Sequence, residues 1–135
     1  MKALTIQQPW AWLIIRPDIT DPQERAAVRG LSMEPLLGPV TIGFGGVMPN
    51  RWQWLDGDSL HWVIVGGESG PLARQFDLSW SYSIILQCRK AGVPVFVKQL
   101  GSRPTSVPWG YTITGKGGDW NEWPADLRVR EYPTN

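Results

Sequence analysis

The chain contains few of the residues on which metal and redox chemistry depend. Its 135 residues include a single cysteine, Cys88, and a single histidine, His61. One thiol cannot form an internal disulfide, and it cannot supply a cysteine zinc site or the three thiolates of a radical-type iron–sulfur cluster. One histidine makes neither a metal site nor a catalytic triad. We therefore expect no metal on this chain alone and interpret Cys88 as a small core residue.

The chain also lacks an excess of charge and a long apolar run. A net charge of +1 argues against a surface that binds polyanions by bulk charge. No apolar run approaches the ~20 residues of a membrane span, and Gln7, Gln8 and Pro9 interrupt any signal-peptide core. We therefore expect a cytoplasmic protein without membrane association. Nine tryptophans, fifteen glycines and twelve prolines favour short elements, many loops and aromatic packing.

The segment from Leu60 to Gly70, LHWVIVGGESG, is the most informative part of the sequence. The apolar run from Trp62 to Val65 shows no polar alternation, which indicates a strand covered on both faces, as in a parallel sheet. Two glycines, a carboxylate and a hydroxyl follow it at once. In parallel α/β folds ligands bind at the carboxyl ends of strands, and the segment from Gly66 to Gly70 occupies that place.

Two other segments repeat this design. Arg29 to Met33 is followed by Glu34, and Val93 to Val97 is followed by Lys98 and Gln99. Since the carboxyl ends of parallel strands share one side of a sheet, we expect Glu34, Glu68 and Lys98 to lie at one rim. The predicted ligand-binding residues are Glu34, Gly66, Gly67, Glu68, Ser69, Arg74, Lys98 and Gln99.

Each of these charged residues also has a structural interpretation. Glu68, assisted by Ser69, accepts hydrogen bonds from a ligand amine or hydroxyl, or it caps a turn. Glu34 faces the rim as a ligand group, or it pairs with Lys98 or Arg74. Two carboxylates act as general acid and base only if their environments separate their pKa values, so the catalytic residues stay unassigned. Lys98 and Arg74 neutralise a ligand phosphate or carboxylate, or they are solvated.

Helix signals follow the central strand. The spacing predicts a helix from about Leu78 to Ala91, capped by Asp77 or Ser79 and ended by Gly92. Its expected buried stripe is Trp80 or Ser81, Ile84, Ile85, Cys88 and Ala91. Strand, helix and strand within about thirty residues predict a βαβ unit.

The flanking regions are less regular. Upstream we expect a strand over Ala3 to Ile6, a helix through Trp10, Trp12, Leu13 and Ile14, and a second short helix capped by Asp21. Residues 41 to 58 are glycine-rich and irregular, which favours an excursion between strands. After Gly101 no periodicity is left, so we expect a draped loop and tail, held by Trp109, Trp120 and Trp123.

Four ordered blocks carry a family resemblance. They are AAVRGLSMEPLLGPV (26–40), HWVIVGGESGPLAR (61–74), AGVPVFVKQLG (91–101) and GGDWNEWPADLRVREYP (117–133). Across about residues 25–133 the chain resembles the C-terminal part of the phage-associated gp-thirty-seven/gp-sixty-eight family, whose members resemble radical S-adenosylmethionine (SAM) enzymes. The resemblance implies part of a (β/α) barrel and makes SAM a candidate ligand. The family's three clustered cysteines have no counterpart here, because Cys88 lies inside the predicted helix.

A second resemblance covers the first residues. KALTIQQPWAWLI (2–14) resembles the opening of ASCH domains, small β-barrels related to RNA-binding PUA domains. Together the two resemblances suggest a natural deletion or fusion, with an ASCH-like start over residues 1–20 and half of a radical-SAM-like barrel over residues 21–135. A complete (β/α)₈ barrel needs about 250 residues, which agrees with a half.

The predicted fold class is therefore α/β: a partial (β/α) barrel or a small, mostly parallel sheet with flanking helices and a loop-rich C-terminal tail. The first functional hypothesis is a non-catalytic ligand-binding or accessory module. The second is a SAM- or nucleotide-dependent enzyme half whose partner supplies the iron–sulfur cluster, and the third is a nucleic-acid-binding ASCH-like module. Unpaired strand edges of a half barrel favour a homodimer or a partner protein.

Overall fold

The structure is a computed structural model that describes residues 12–13, 30–42 and 60–134. Its main feature is a four-stranded sheet with one α-helix packed on it. In chain order the elements are β1 (Trp12–Leu13), β2 (Gly30–Met33), β3 (Trp62–Gly66), β4 (Phe76–Asp77), α1 (Leu78–Ala91), β5 (Val95–Gln99), β6 (Pro104–Thr105) and two 3₁₀ helices (Trp120–Glu122 and Ala125–Leu127). No helix within these described ranges combines the length and apolar character that a bilayer span requires.

The main sheet has the strand order β1-β2-β3-β5. Strands β2, β3 and β5 run parallel to one another, and β1 is antiparallel to β2. The three predicted strands and the β3-α1-β5 crossover unit are thus confirmed. The described residues form no closed barrel, so the small, mostly parallel sheet is the fold that the structure supports.

The register of the parallel strands builds the core. Two rows of inward-facing side chains cross the three strands: Leu31, Val63 and Val95 in one row, and Met33, Val65 and Val97 in the next. All six residues are buried. Burial alternates along the strands, and residues of the opposite face such as Ile64 and Phe96 are only half-buried. The prediction of a strand over Trp62 to Val65 is therefore confirmed, but it is fully covered on one face only.

Helix α1 covers the buried face and begins and ends as predicted. Asp77 is its N-cap and accepts a hydrogen bond from the Ser79 backbone N–H at 2.8 Å. Gly92 ends it in the left-handed conformation, with φ of 70°. Its buried residues are Leu78, Ser81, Ile84, Ile85 and Cys88. Burial raises the pKa of the Cys88 thiol to about 12, in keeping with a core residue.

The predicted helix through Trp10 to Ile14 is wrong where the structure describes it. Trp12 and Leu13 form β1 and pair with Ser32 and Leu31 of β2. Strand pairing prevails here because the backbone groups along the free side of β2 need partners and aromatic and aliphatic residues suit a sheet. The predicted strand at 3–6, the helix capped by Asp21 and most of the 41–58 excursion lie outside the described residues.

The C-terminal tail pairs with the sheet in addition to lying across it. The Val97 N–H donates to the Val129 carbonyl at 2.9 Å, and the Glu131 N–H donates to the Val95 carbonyl at 3.0 Å. These groups lie on the edge of β5 opposite β3, so the tail of the chain pairs with that edge. A homodimer or a partner protein at the sheet edges stays a prediction.

Aromatic and cationic side chains hold the tail in place. The Trp123 side chain is buried and donates from Nε1 to the Gly117 carbonyl at 2.9 Å, as its predicted anchoring role requires. The Arg130 guanidinium lies 4.8 Å from the Trp120 ring centroid and 5.3 Å from that of Phe96. Trp109 is fully exposed at 100%, so the prediction that it anchors the tail is wrong.

Candidate functional site

The carboxyl ends of β2, β3 and β5 bring two predicted site residues into contact. Glu34 directly follows β2, and Lys98 lies near the end of β5. The Lys98 Nζ lies 3.3 Å from Glu34 Oε2, although 64 positions separate the two residues in the chain. Of the partners that the sequence left open for Glu34, the structure selects Lys98. We call Glu34, Gly66 and Lys98 the rim site.

Two local features make this contact geometrically possible. Glu34 lies against Gly66 of β3, where an added Cβ would stand 2.6 Å from Glu34 Oε1. Val65 pairs with Val97 while Gly66 pairs with Gln99, so Lys98 is an extra residue in a bulge of β5. Bulges re-aim side chains and often lie beside functional sites. The missing side chain and the bulge together let Glu34 and Lys98 meet across β3.

The rim pair is partly open to solvent. The Lys98 side chain is 57% exposed and that of Glu34 is 19% exposed. Because water solvates the exposed Lys98 ammonium group, we expect this ion pair to contribute only roughly 0–1 kcal/mol to stability. The Lys98 ammonium group is accessible to a ligand, and the Glu34 carboxylate is accessible in part.

Glu68 has a different cationic partner. Arg74 donates to it three times: from Nε to Oε2 at 2.8 Å, from Nη2 to Oε1 at 2.9 Å and from its backbone N–H to Oε2 at 2.9 Å. These hydrogen bonds, with the positive charge of Arg74, lower the pKa of Glu68 from 4.5 to about 2. The two carboxylates of the rim prediction therefore belong to separate ion pairs, and Glu68 closes the loop between residues 68 and 74.

A layer of backbone contacts supports this loop. Gly67 donates from its N–H to the Gln99 carbonyl at 3.0 Å, and the Gln99 Nε2 donates to the Gly67 carbonyl at 3.0 Å. An added Cβ on Gly67 would stand 2.8 Å from the Gly101 Cα, and one on Gly117 would stand 2.7 Å from the Gly101 carbonyl oxygen. Three chain segments thus pack backbone against backbone beneath the loop.

Sequence reasoning missed two members of this layer. At Gly101 and Gly117 the sequence predicts only an irregular loop, although each is a glycine in a segment that has lost hydrophobic periodicity. Such glycines can signal close backbone approach, but the partner segment cannot be found from spacing. Of the remaining predicted residues, Ser69 is exposed in the 68–74 loop.

Among the residues that the structure describes, no group of three or more histidine, cysteine, aspartate or glutamate side chains is arranged to hold a metal ion. What the rim site offers is one carboxylate and one ammonium group. These groups can accept hydrogen bonds from a ligand ammonium and donate hydrogen bonds to a ligand carboxylate or phosphate.

Comparison with known proteins identifies the family. The family model described as "Protein of unknown function (DUF5131)" matches residues 18–124, and the chain belongs to this family. No curated protein and no solved structure matches the chain. The resemblances to the gp-thirty-seven/gp-sixty-eight family, to radical SAM enzymes and to ASCH domains stay predictions.

Proposed function

We propose that this member of the DUF5131 family is a non-catalytic module that binds a small zwitterionic ligand at the rim site. The observation that carries the proposal is the partly exposed Glu34–Lys98 pair, held at 3.3 Å across a glycine at the carboxyl ends of three parallel strands. Ligands of parallel α/β folds bind at this end of the sheet.

The charges of the rim site favour a ligand that carries both an ammonium and a carboxylate group. Such a ligand inserts between the two side chains, with its ammonium at Glu34 and its carboxylate at Lys98. Each protein charge then exchanges one partner of opposite sign for another, so no charge is left unpaired when the ligand excludes water. A purely anionic or cationic ligand would satisfy one side chain and leave the other without its partner.

The other predicted site residues have supporting roles in this proposal. Glu68 and Arg74 hold the loop beside β3, and Gly67 and Gln99 join that loop to β5. Ser69 is exposed on this loop, where it can contact the distal part of a ligand.

SAM is the first ligand to test, because it carries an α-ammonium and an α-carboxylate group and because the chain resembles radical SAM proteins. Binding would not imply radical chemistry on these residues, since they include a single thiol, buried in α1. Cluster-dependent chemistry would require thiolates from a partner protein, which is the enzyme-half alternative.

The test is a thermal-shift series with four ligands: SAM, methionine, methionine methyl ester and N-acetylmethionine. Methionine has both charges, the ester lacks the carboxylate and the acetyl derivative lacks the ammonium. At a hundred times its Kd a ligand stabilises the folded state by about 2.7 kcal/mol, which shifts the melting temperature by several degrees. We expect the two zwitterions to produce this shift and the single-charge analogues to produce much less.

Variants tie the response to the rim site. Glu34→Gln and Lys98→Met each remove one charge and should abolish the response to both zwitterions. Lys90→Met, which changes an exposed lysine in the last turn of α1, is the matched control and should respond like the wild type. The proposal is wrong if no zwitterion shifts the melt, if the single-charge analogues act equally well, or if both rim variants keep the response.

A further inference from the structure

A second surface feature lies apart from the rim site. An open groove of about 450 Å³ runs along β6 and the segment that follows it. Its polar lining comprises Gln75, Ser102, Arg103, Thr105, Tyr111 and Thr112. The volume falls within the roughly 300–1,000 Å³ typical of ligand sites, and neither Glu34 nor Lys98 lines the groove.

The walls of the groove are built on hydrogen-bonded backbone. The Phe76 N–H of β4 donates to the Arg103 carbonyl at 3.0 Å, and β4 pairs in parallel with β6. Ser102 donates from its N–H to the Glu68 carbonyl at 2.8 Å and accepts at Oγ from the Gly70 N–H at 3.0 Å. A ligand would therefore meet a surface that is already organised.

The groove lining contains one charged side chain, the guanidinium of Arg103. Lys98 and Lys116 belong to the same stretch of chain but do not line the groove, and Asp77 lies on the neighbouring strand, paired with Thr105. Arg103 is exposed and uses one N–H in a 3.5 Å contact with the Ala73 carbonyl. A guanidinium has five N–H donors, and its planar fork suits phosphate oxygens. The lining includes no carboxylate that would repel an anion.

Two aromatic side chains accompany this charge. The Tyr111 N–H donates to the Pro108 carbonyl at 3.2 Å and closes a tight turn that carries Trp109. Val107 and Tyr111, on either side of the turn, line the groove; Tyr111 is 40% exposed and Trp109 is 100% exposed. Exposed rings beside an arginine are two elements of sites that stack bases and contact a phosphate backbone.

We propose that this groove binds a single-stranded oligonucleotide, with Arg103 at a phosphate and Trp109 and Tyr111 stacked on bases. Hydroxyl and amide groups of Ser102, Thr105 and Gln75 supply hydrogen bonds to the sugar–phosphate backbone without selecting a sequence. The inference does not depend on the ligand of the rim site.

The test measures fluorescence anisotropy of a labelled twelve-nucleotide single strand, as DNA and as RNA, with the full chain at 50 and 200 mM salt. Loss of one stacked base should weaken binding about 5- to 150-fold, so Trp109→Ala should raise the Kd by a factor in this range. Because this side chain is fully exposed, its removal should leave the melting temperature unchanged. Arg103→Gln should weaken binding and reduce the slope of log K against log salt by about 0.7 for each phosphate that the protein no longer neutralises.

Matched controls keep the result specific to the groove. Leu86→Ala removes an exposed apolar side chain of α1, and Arg89→Gln removes an exposed cation of its last turn. Both should bind the oligonucleotide like the wild type. The proposal is overturned if the strand does not bind at 50 mM salt, if the controls lose as much affinity as the groove variants, or if Trp109→Ala binds normally. It is also overturned if a mononucleotide, or a proline-rich peptide without phosphate, binds as tightly with the same dependence on Trp109.

Discussion

Alanine substitutions at three glycines separate two physical costs in the layer beneath the 68–74 loop. Gly101 has φ of +77° and its added Cβ would stand 2.9 Å from the Glu68 carbonyl oxygen. Gly92 has φ of +70°, but its added Cβ would meet nothing within 4 Å. The Cβ of Gly67 would stand 2.8 Å from the Gly101 Cα. Gly92→Ala therefore tests backbone conformation alone, Gly67→Ala tests overlap, and Gly101→Ala combines both.

The magnitudes follow from these contacts. A left-handed conformation costs a residue with a Cβ roughly 1–2 kcal/mol, which is the loss of unfolding free energy we expect for Gly92→Ala. Overpacking costs roughly 1–3 kcal/mol, and at Gly67 the atoms in the way are backbone, which cannot rotate aside. If the two costs add, Gly101→Ala should lose about 2–5 kcal/mol.

The assay is urea unfolding followed by tryptophan fluorescence. With a slope of about 2 kcal/mol per molar urea, the midpoint should fall by about 0.5–1 M for Gly92→Ala and by about 1–2.5 M for Gly101→Ala. Gly67→Ala carries the overlap cost alone, roughly 1–3 kcal/mol, so its midpoint should fall by about 0.5–1.5 M. Equal midpoints for Gly92→Ala and Gly101→Ala would refute the reasoning, since the close approach of the two backbones would then cost nothing.

Two further predictions concern the ion pair of the loop and the tail. Because hydrogen bonds from Arg74 lower the pKa of Glu68 to about 2, Arg74→Gln should raise it toward the ordinary 4.5 in a carboxyl NMR titration. Because the folded state lowers this pKa, ionised Glu68 stabilises the fold above about pH 4.5, and this contribution disappears as the pH falls toward 2. The wild type should therefore lose more stability than Arg74→Gln between these two pH values. An unchanged Glu68 pKa in the variant would contradict the assignment. Arg130→Ala removes the cation beside Phe96 and Trp120 and should release the tail. The Val97 amide, which donates to the Val129 carbonyl, should then exchange its hydrogen faster. The amides of α1 should exchange at their former rates. Equal protection of Val97 in both proteins would show that the tail is held without Arg130.

The fold was predictable where local rules agree with tertiary packing. Helix α1 carries an aspartate cap, a buried stripe and a terminal glycine, and all three follow from the chemistry of residues near in sequence. The central parallel strand was recognisable because β3 is an apolar run that ends at two glycines. The prediction failed at Trp12 and Leu13, because a two-residue strand depends on the backbone of β2 and not on its own periodicity.

The sequence predicted which charged residues lie at the strand ends, but not which of them form ion pairs. The positions of Glu34, Glu68 and Lys98 after apolar runs placed them at strand ends. Which carboxylate meets which cation depends on the bulge at Lys98 and on the reach of Arg74 back across its own loop. Neither feature has a signature that spacing alone can reveal.

By itself, the sequence determined the positions of the described parallel strands and of α1, the buried character of Cys88 and the lack of thiolates for a cluster on this chain. Each of these follows from composition or from contacts between neighbours in the chain. The tertiary structure alone decided that Glu34 pairs with Lys98, that Gly67, Gly101 and Gly117 pack against one another, that the tail pairs with β5 and that Trp109 stays exposed. These contacts join residues up to 64 positions apart, and their geometry is set by strand register and backbone approach, which exist only once the chain has folded.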